Sequence, residues 1–222
     1  ADNGTGAVTV VKMGPGSIKL DGHNTFSGGL YLLQGRVQFT GSEIGSANPD
    51  GGGSGPIFVL PGAYLFPSGT AAITNAMFVA GAGDAHEPLG AFRGGTYSGM
   101  VTLIGDASFG GNAIFNGPIV GPYSVTLGSA ATVNGGATLN NSANNWTGNT
   151  ILTARSNTGG NTVICGADNV IPNGFGYGNM TLQSFAVGSI TWNLNGFDQT
   201  VNGLSSSGPG TTSFIQNSAV GT

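Results

Sequence analysis

Nine carboxylates are the groups in this chain best suited to chemistry: Asp2, Asp21, Glu43, Asp50, Asp84, Glu87, Asp106, Asp168 and Asp198. Cleaving a glycosidic bond takes two carboxyl groups held about 5–10 Å apart, and binding Ca²⁺ takes several oxygens converging on one point. Asp84 and Asp106 are 22 residues apart, so coils of about 24 residues would set them on neighbouring coils with Glu87 beside them. A solvated loop pair explains the same spacing. Asp84-Ala85-His86-Glu87 is a partial metal set, but His86 has no second histidine at ligand spacing and His23 reads as a corner residue. Cys165 is the sole cysteine, which leaves no internal disulfide and no cysteine-based zinc site. After Val163-Ile164 it reads as a small buried hydrophobe rather than a nucleophile. There is no G-x-S-x-G nucleophile elbow, and the glycines at 51–53 lack the strand–loop–helix setting of a phosphate loop. Sequons at Asn3, Asn140, Asn145 and Asn179 matter only in a host that glycosylates them. The residues thus point to no catalytic group, no cofactor and no metal.

A different recurrence is more informative. Thr25-Phe26-Ser27-Gly28 returns as Thr96-Tyr97-Ser98-Gly99 after 71 residues and as Asn145-Trp146-Thr147-Gly148 after a further 49. Each copy reads polar, aromatic, hydroxyl, glycine, and each leads into an alternating strand. Those spacings are close to three and two multiples of about 24, within the range of solenoid coils. Phe26, Tyr97 and Trp146 would then recur at one position of the coil and stack inside it, with a sugar-binding ladder as the alternative. Gly28, Gly99 and Gly148 complete the repeat.

Composition supports strands. Of 222 residues 43 are Gly and only 14 are charged, yet 39% are hydrophobic, enough to bury a core. Short runs of Val, Ile, Leu and Phe alternate with Ser, Thr, Asn and Gly, and no window of a dozen residues keeps a helical period. The net charge of −4 and the lack of a basic stripe argue against a nucleic-acid partner. No apolar run approaches the ~20 residues of a membrane-spanning helix. An alanine at position 1 suits a chain exported and trimmed of its signal.

In order, strands are expected near 8–11, 17–20, 30–33, 36–40, 57–60, 63–66, a pair within 71–80, 100–104, 113–115, 118–120, 123–127, 131–133 and 137–139. Later ones fall at 150–153, 161–164, 179–183, 189–194, 199–204 and 211–215. A Gly-rich excursion interrupts them near 41–55. Short strands with Gly and Asn corners wind readily into a parallel β-helix, each coil sealing the backbone of the last. The expectation is one all-β domain over 1–222, a right-handed parallel β-helix of roughly nine coils. A β-sandwich is the competing fold.

Two regions resemble a known family. Lys12-Met13-Gly14-Pro15-Gly16 through Leu20, then Asn24-Thr25-Phe26-Ser27-Gly28-Gly29 through Gly35, is similar to the signature of the autotransporter-associated β-strand repeat. So is Asn144 to Thr150, followed by Ala167 to Gly174, Leu194 to Phe197 and Val201 to Leu204. The resemblance implies a secreted bacterial surface protein with a right-handed parallel β-helix, acting as passenger, adhesin or structural component.

A β-helix leaves strand edges open at its ends, and no charge run here blunts them. The expected function is therefore a self-assembling structural subunit of an extracellular filament, sheath or surface layer. Its partners would be copies of itself or adjoining β-helical segments, with surface glycans as further candidates. A glycan-binding adhesin module and a β-helix polysaccharide lyase or glycosidase are the rivals. Phe58, Tyr64, Phe66, Phe175 and Tyr177, set beside Pro and Gly, are the candidate contact residues.

Overall fold

The computed structural model describes residues 2, 4–22, 24–39, 52–68, 72–84, 90–129, 135–154, 160–185, 188–209 and 212–219. His23, Glu43, Asp50, His86, Glu87, the sequon at Asn3, the strand expected at 131–133 and the excursion up to residue 51 lie outside them.

The described residues form 22 strands and no helix. The first eleven are β1 (Val10–Lys12), β2 (Ser17–Leu20), β3 (Leu30–Leu32), β4 (Gly35–Phe39), β5 (Ile57–Val59), β6 (Ala63–Pro67), β7 (Ala72–Ile73), β8 (Met77–Gly81), β9 (Phe92–Arg93), β10 (Thr96–Tyr97) and β11 (Val101–Gly110). The rest are β12 (Ala113–Phe115), β13 (Ile119–Gly121), β14 (Val125–Ser129), β15 (Ala137–Leu139), β16 (Asn145–Trp146), β17 (Thr150–Ala154), β18 (Asn161–Cys165), β19 (Met180–Ser184), β20 (Ile190–Asn193), β21 (Leu204–Ser207) and β22 (Ser213–Gln216). They make one 15-stranded and one 7-stranded sheet, and the pairs in both are parallel. The hairpin pairing of an antiparallel β-sandwich is not what these strands adopt. The arrangement is all-β, with parallel strands in curled sheets, and is compatible with a β-solenoid.

The larger sheet is two stacks that share one strand. The amino-terminal part of β11 pairs with β8 and β13, whereas its carboxy-terminal part pairs with β9 and β14. The first stack is thus β1-β3-β5-β8-β11-β13-β16, and the second is β2-β4-β6-β9-β11-β14-β17-β19-β21. The 7-stranded sheet, from β7 to β22, is the third. From β5 to β18 the chain visits the three stacks in a fixed order, first, second, third.

Alternation within the short strands makes the core. Leu30 and Leu32 of β3, Ile57 and Val59 of β5, and Met77 and Val79 of β8 point inward and are buried. Each such side chain contributes about 2 kcal/mol by leaving water. Phe92 and Tyr97 stack inside at a centroid distance of 4.5 Å, with Phe109 and Phe115 packed against them.

Three expectations need correction. The coil period is not constant: partners in adjacent strands are 17 residues apart at Phe92↔Phe109 and 30 at Thr150↔Met180. Corner loops of different length absorb the difference, because only the strands must stay in register. The three aromatic corners also do not share one position. The copy at Thr96-Tyr97 lies in β10 of the third stack, but the copy at Asn145-Trp146 lies in β16 of the first. All three rings are nonetheless buried. Residues 52–55 are not part of an excursion either. The Ser54 N–H donates to the Phe26 carbonyl at 2.9 Å, and Gly53 and Gly55 lie against Phe26 and Gly29.

Candidate functional site

The polar groups that could carry chemistry are used between rungs. Buried Lys12 donates from Nζ to the carbonyls of Met13 (2.9 Å), Gly14 and Gln34 (3.0 Å), tying its own corner to the next rung's. A Cβ on Gly35 would lie 2.6 Å from the Gly14 carbonyl oxygen, so the two corners are in backbone contact. The Lys-x-Gly-x-Gly and later Gly of the sequence are thus one structural joint.

The carboxylates behave alike. Asp106 accepts from the Ser124 N–H at 2.8 Å, and Asp168 accepts from the Asp198 N–H at 2.9 Å. Asp2 accepts from the N–H groups of Val8 (3.0 Å) and Ser27 (2.8 Å), which hold its carboxyl below the usual range, Val8 foremost. Each takes up a backbone donor that a strand end would leave unpaired. Asparagines extend the pattern: Asn140 donates to Asn116 Oδ1 at 2.8 Å, and Asn149 Oδ1 accepts from the Asn179 N–H at 3.0 Å. Among the described residues no three His, Cys, Asp or Glu side chains group as metal ligands.

Cys165 is buried, and Trp192 Nε1 donates to its sulfur at 3.1 Å. Burial pushes its thiol up to about 11, the reverse of an activated nucleophile.

The five candidate contact residues do not form one surface. Tyr64 is buried, a correction to its expected exposure. Its neighbours on the second stack are in-register Arg36 and, two residues on, Phe66, whose ring lies 5.0 Å from the Arg93 guanidinium. Phe175 is fully exposed at the tip of a turn held by Asn202, whose Nδ2 donates to the carbonyls of Gly174 (2.9 Å) and Tyr177 (2.8 Å). The Tyr177 hydroxyl donates to Asn145. Phe58 belongs to the outer side of the first stack.

There Phe58 is the middle ring of three. Tyr31 and Phe58 stack at 4.4 Å, and Phe58 and Phe78 at 4.7 Å, with interplanar angles of 6° and 10°. The column they form begins at exposed Val11 and continues through Thr102 and Val120. A parallel column two residues on runs from exposed Met13 through Leu33 and Leu60 to buried Ala80, with exposed Ile104 following on β11. On the other side Pro56, Ala76, Met100 and Pro118 follow one another, their carbonyls serving as rung acceptors. None of these positions is charged, whereas the outer second stack carries Lys19, Arg36 and Arg93. Tyr31 and Phe78 were missed from sequence. The signal was there in the recurring triplets Leu-Tyr-Leu, Ile-Phe-Val and Met-Phe-Val, whose middle residues face outward.

The last described rung exposes residues whose register partners are core. Leu204 is 48% exposed although it pairs with buried Met180, and Ile215 is 46% exposed although it pairs with buried Trp192. A cavity of about 490 Å³ opens between them, floored by Leu182 and Ser184.

Comparison with protein-family models, with curated proteins and with solved structures gives no match.

Proposed function

We propose that the chain is a right-handed parallel β-helix serving as a structural subunit of a secreted bacterial filament, sheath or surface layer. Its terminal rungs are covered by further rungs, from another copy or from adjoining β-helical sequence. The observation that carries this reading is the last rung. Leu204 and Ile215 continue the inward columns of Met180 and Trp192, yet half of each faces solvent. One more rung would bury both and pair the free edges of β21 and β22. The engagement of Lys12, Asp106 and Asp168 in rung-to-rung bonds supports a structural use of the polar groups. Secretion and bacterial origin rest on the repeat resemblance of the sequence.

An adhesin would need aromatic ring faces free to stack on sugars. The rings of Tyr31, Phe58 and Phe78 cover one another's faces and present edges, so this ladder favours packing over sugar binding.

Electron microscopy of the purified protein tests the proposal. Regular filaments or sheets are expected, and Leu204→Lys with Ile215→Lys should abolish them. Dispersed particles at high concentration would overturn it.

A further inference from the structure

We propose that the outer side of the first stack is a second assembly surface, on which two copies of the chain pack sheet to sheet. The inference rests on the structural reading above only in taking another copy as partner, and its surface is separate from the terminal rungs. Six strands, β1, β3, β5, β8, β11 and β13, carry the outward column from Val11 to Val120 with a flanking column on each side; Thr9 and Thr102 are the polar residues among them, and Ala80 is buried. At ordinary strand and residue spacings this face measures roughly 25 Å by 17 Å. A patch of that size without charge marks a contact surface. Two copies would bury roughly 850 Å² together, just under the ~1,000 Å² of a stable specific interface, so the contact is weak and concentration-dependent.

Spacing and charge together choose the partner. The rings of Tyr31, Phe58 and Phe78 rise by 4.4 and 4.7 Å per rung, and every copy carries the same rise. Side chains of two such faces interdigitate along the full length, as mated sheets do in dry zippers. A partner of another period would fall out of step within a few rungs. The chain is acidic overall, at −4. Pairing through the uncharged face puts no carboxylates opposite one another, whereas the outer second stack would set Lys19, Arg36 and Arg93 against their copies.

Sedimentation equilibrium over a wide concentration range tests this. In the Leu204→Lys, Ile215→Lys background, which cannot polymerise end to end, the expected result is a mass rising toward twice the monomer's, lost on adding Phe58→Lys or Phe78→Lys. Both positions are partly exposed, and an unchanged β-sheet circular dichroism spectrum would show that the variants fold. Thr181→Lys, on the outer second stack, should leave the dimer intact. Leu204→Lys with Ile215→Lys should also leave it intact while removing end-to-end filaments, so the two surfaces fail separately. A mass that stays monomeric to millimolar concentration overturns the inference. In the Leu204→Lys, Ile215→Lys background, association that survives Phe58→Lys and Phe78→Lys would do the same.

Discussion

At the scale of single residues, the interior holds polar atoms whose removal has opposite signs. The Tyr97 hydroxyl is buried with no hydrogen-bond partner, among Phe92, Phe109 and Phe115. Tyr97→Phe removes an unsatisfied group and keeps the ring, so it should raise stability by about 1 kcal/mol in urea unfolding. Lys12 is the contrary case, because three carbonyls depend on it. Lys12→Met keeps the stem and strands those acceptors, and should cost about 2–3 kcal/mol in the same measurement. The two buried acids set the alkaline limit. Burial raises the Tyr97 phenol well above 10 and the Cys165 thiol to about 11. Between about pH 9 and 11 the folded chain keeps protons that the unfolded chain releases, so stability falls as pH rises. Melting temperature followed across that window should drop, and the drop should shrink in a Cys165→Ala, Tyr97→Phe double variant. A flat profile in the parent protein would contradict this account.

At the scale of the element, the corners decide what each rung tolerates. A Cβ on Gly28 would lie 2.7 Å from the Val8 carbonyl oxygen, on Gly99 2.6 Å from that of Thr74, and on Gly148 2.6 Å from that of Tyr123. These repeat glycines are spaces that the previous rung's backbone occupies. Gly99→Ala should therefore cost about 1–3 kcal/mol by thermal unfolding. Gly16→Ala, with open space and an ordinary φ, should be nearly neutral. This local chemistry was legible in the sequence, because a glycine two residues after a buried aromatic recurs at three corners, Gly28, Gly99 and Gly148. Most strands were legible too, from alternation in runs such as Ile57–Val59 and Asn161–Cys165. What could not be read was which stack a strand belongs to. β9, β10 and β16 have two residues each, too few for a period. β11 turns from one stack into another without a break, a shift that its pairing shows and its composition does not. The common divisor of 71 and 49 misled for the same reason, since loops of unequal length let similar corners occur on different stacks. The outward aromatic ladder was recoverable, but only once the inward partners of Phe58 were fixed.

At the scale of the whole molecule, stability in a stack of rungs is a sum of each rung's own term and its contacts with two neighbours. A rung with one neighbour is therefore the weakest, and every residue of the last described rung's strands except Ser213 is exposed. Amide hydrogen exchange should find β21 and β22 opening at far lower free energy than β14 and β17. The same reasoning separates a chain working alone from one working in an assembly. Leu152 is buried in mid-stack, between Leu127 and Leu182. Leu152→Ala should cost about 2–5 kcal/mol at any protein concentration. Leu204 loses half of that environment in the monomer. Leu204→Ala should then cost less than about 1 kcal/mol in a dilute preparation of residues 1–222, where no second copy covers the rung. Under assembling conditions the covered Leu204 becomes a core residue, and its substitution should approach the cost at Leu152. Unfolding curves of both variants at low and high concentration measure the difference. A Leu204→Ala penalty that does not grow with concentration would mean that no second copy lays a rung on this end.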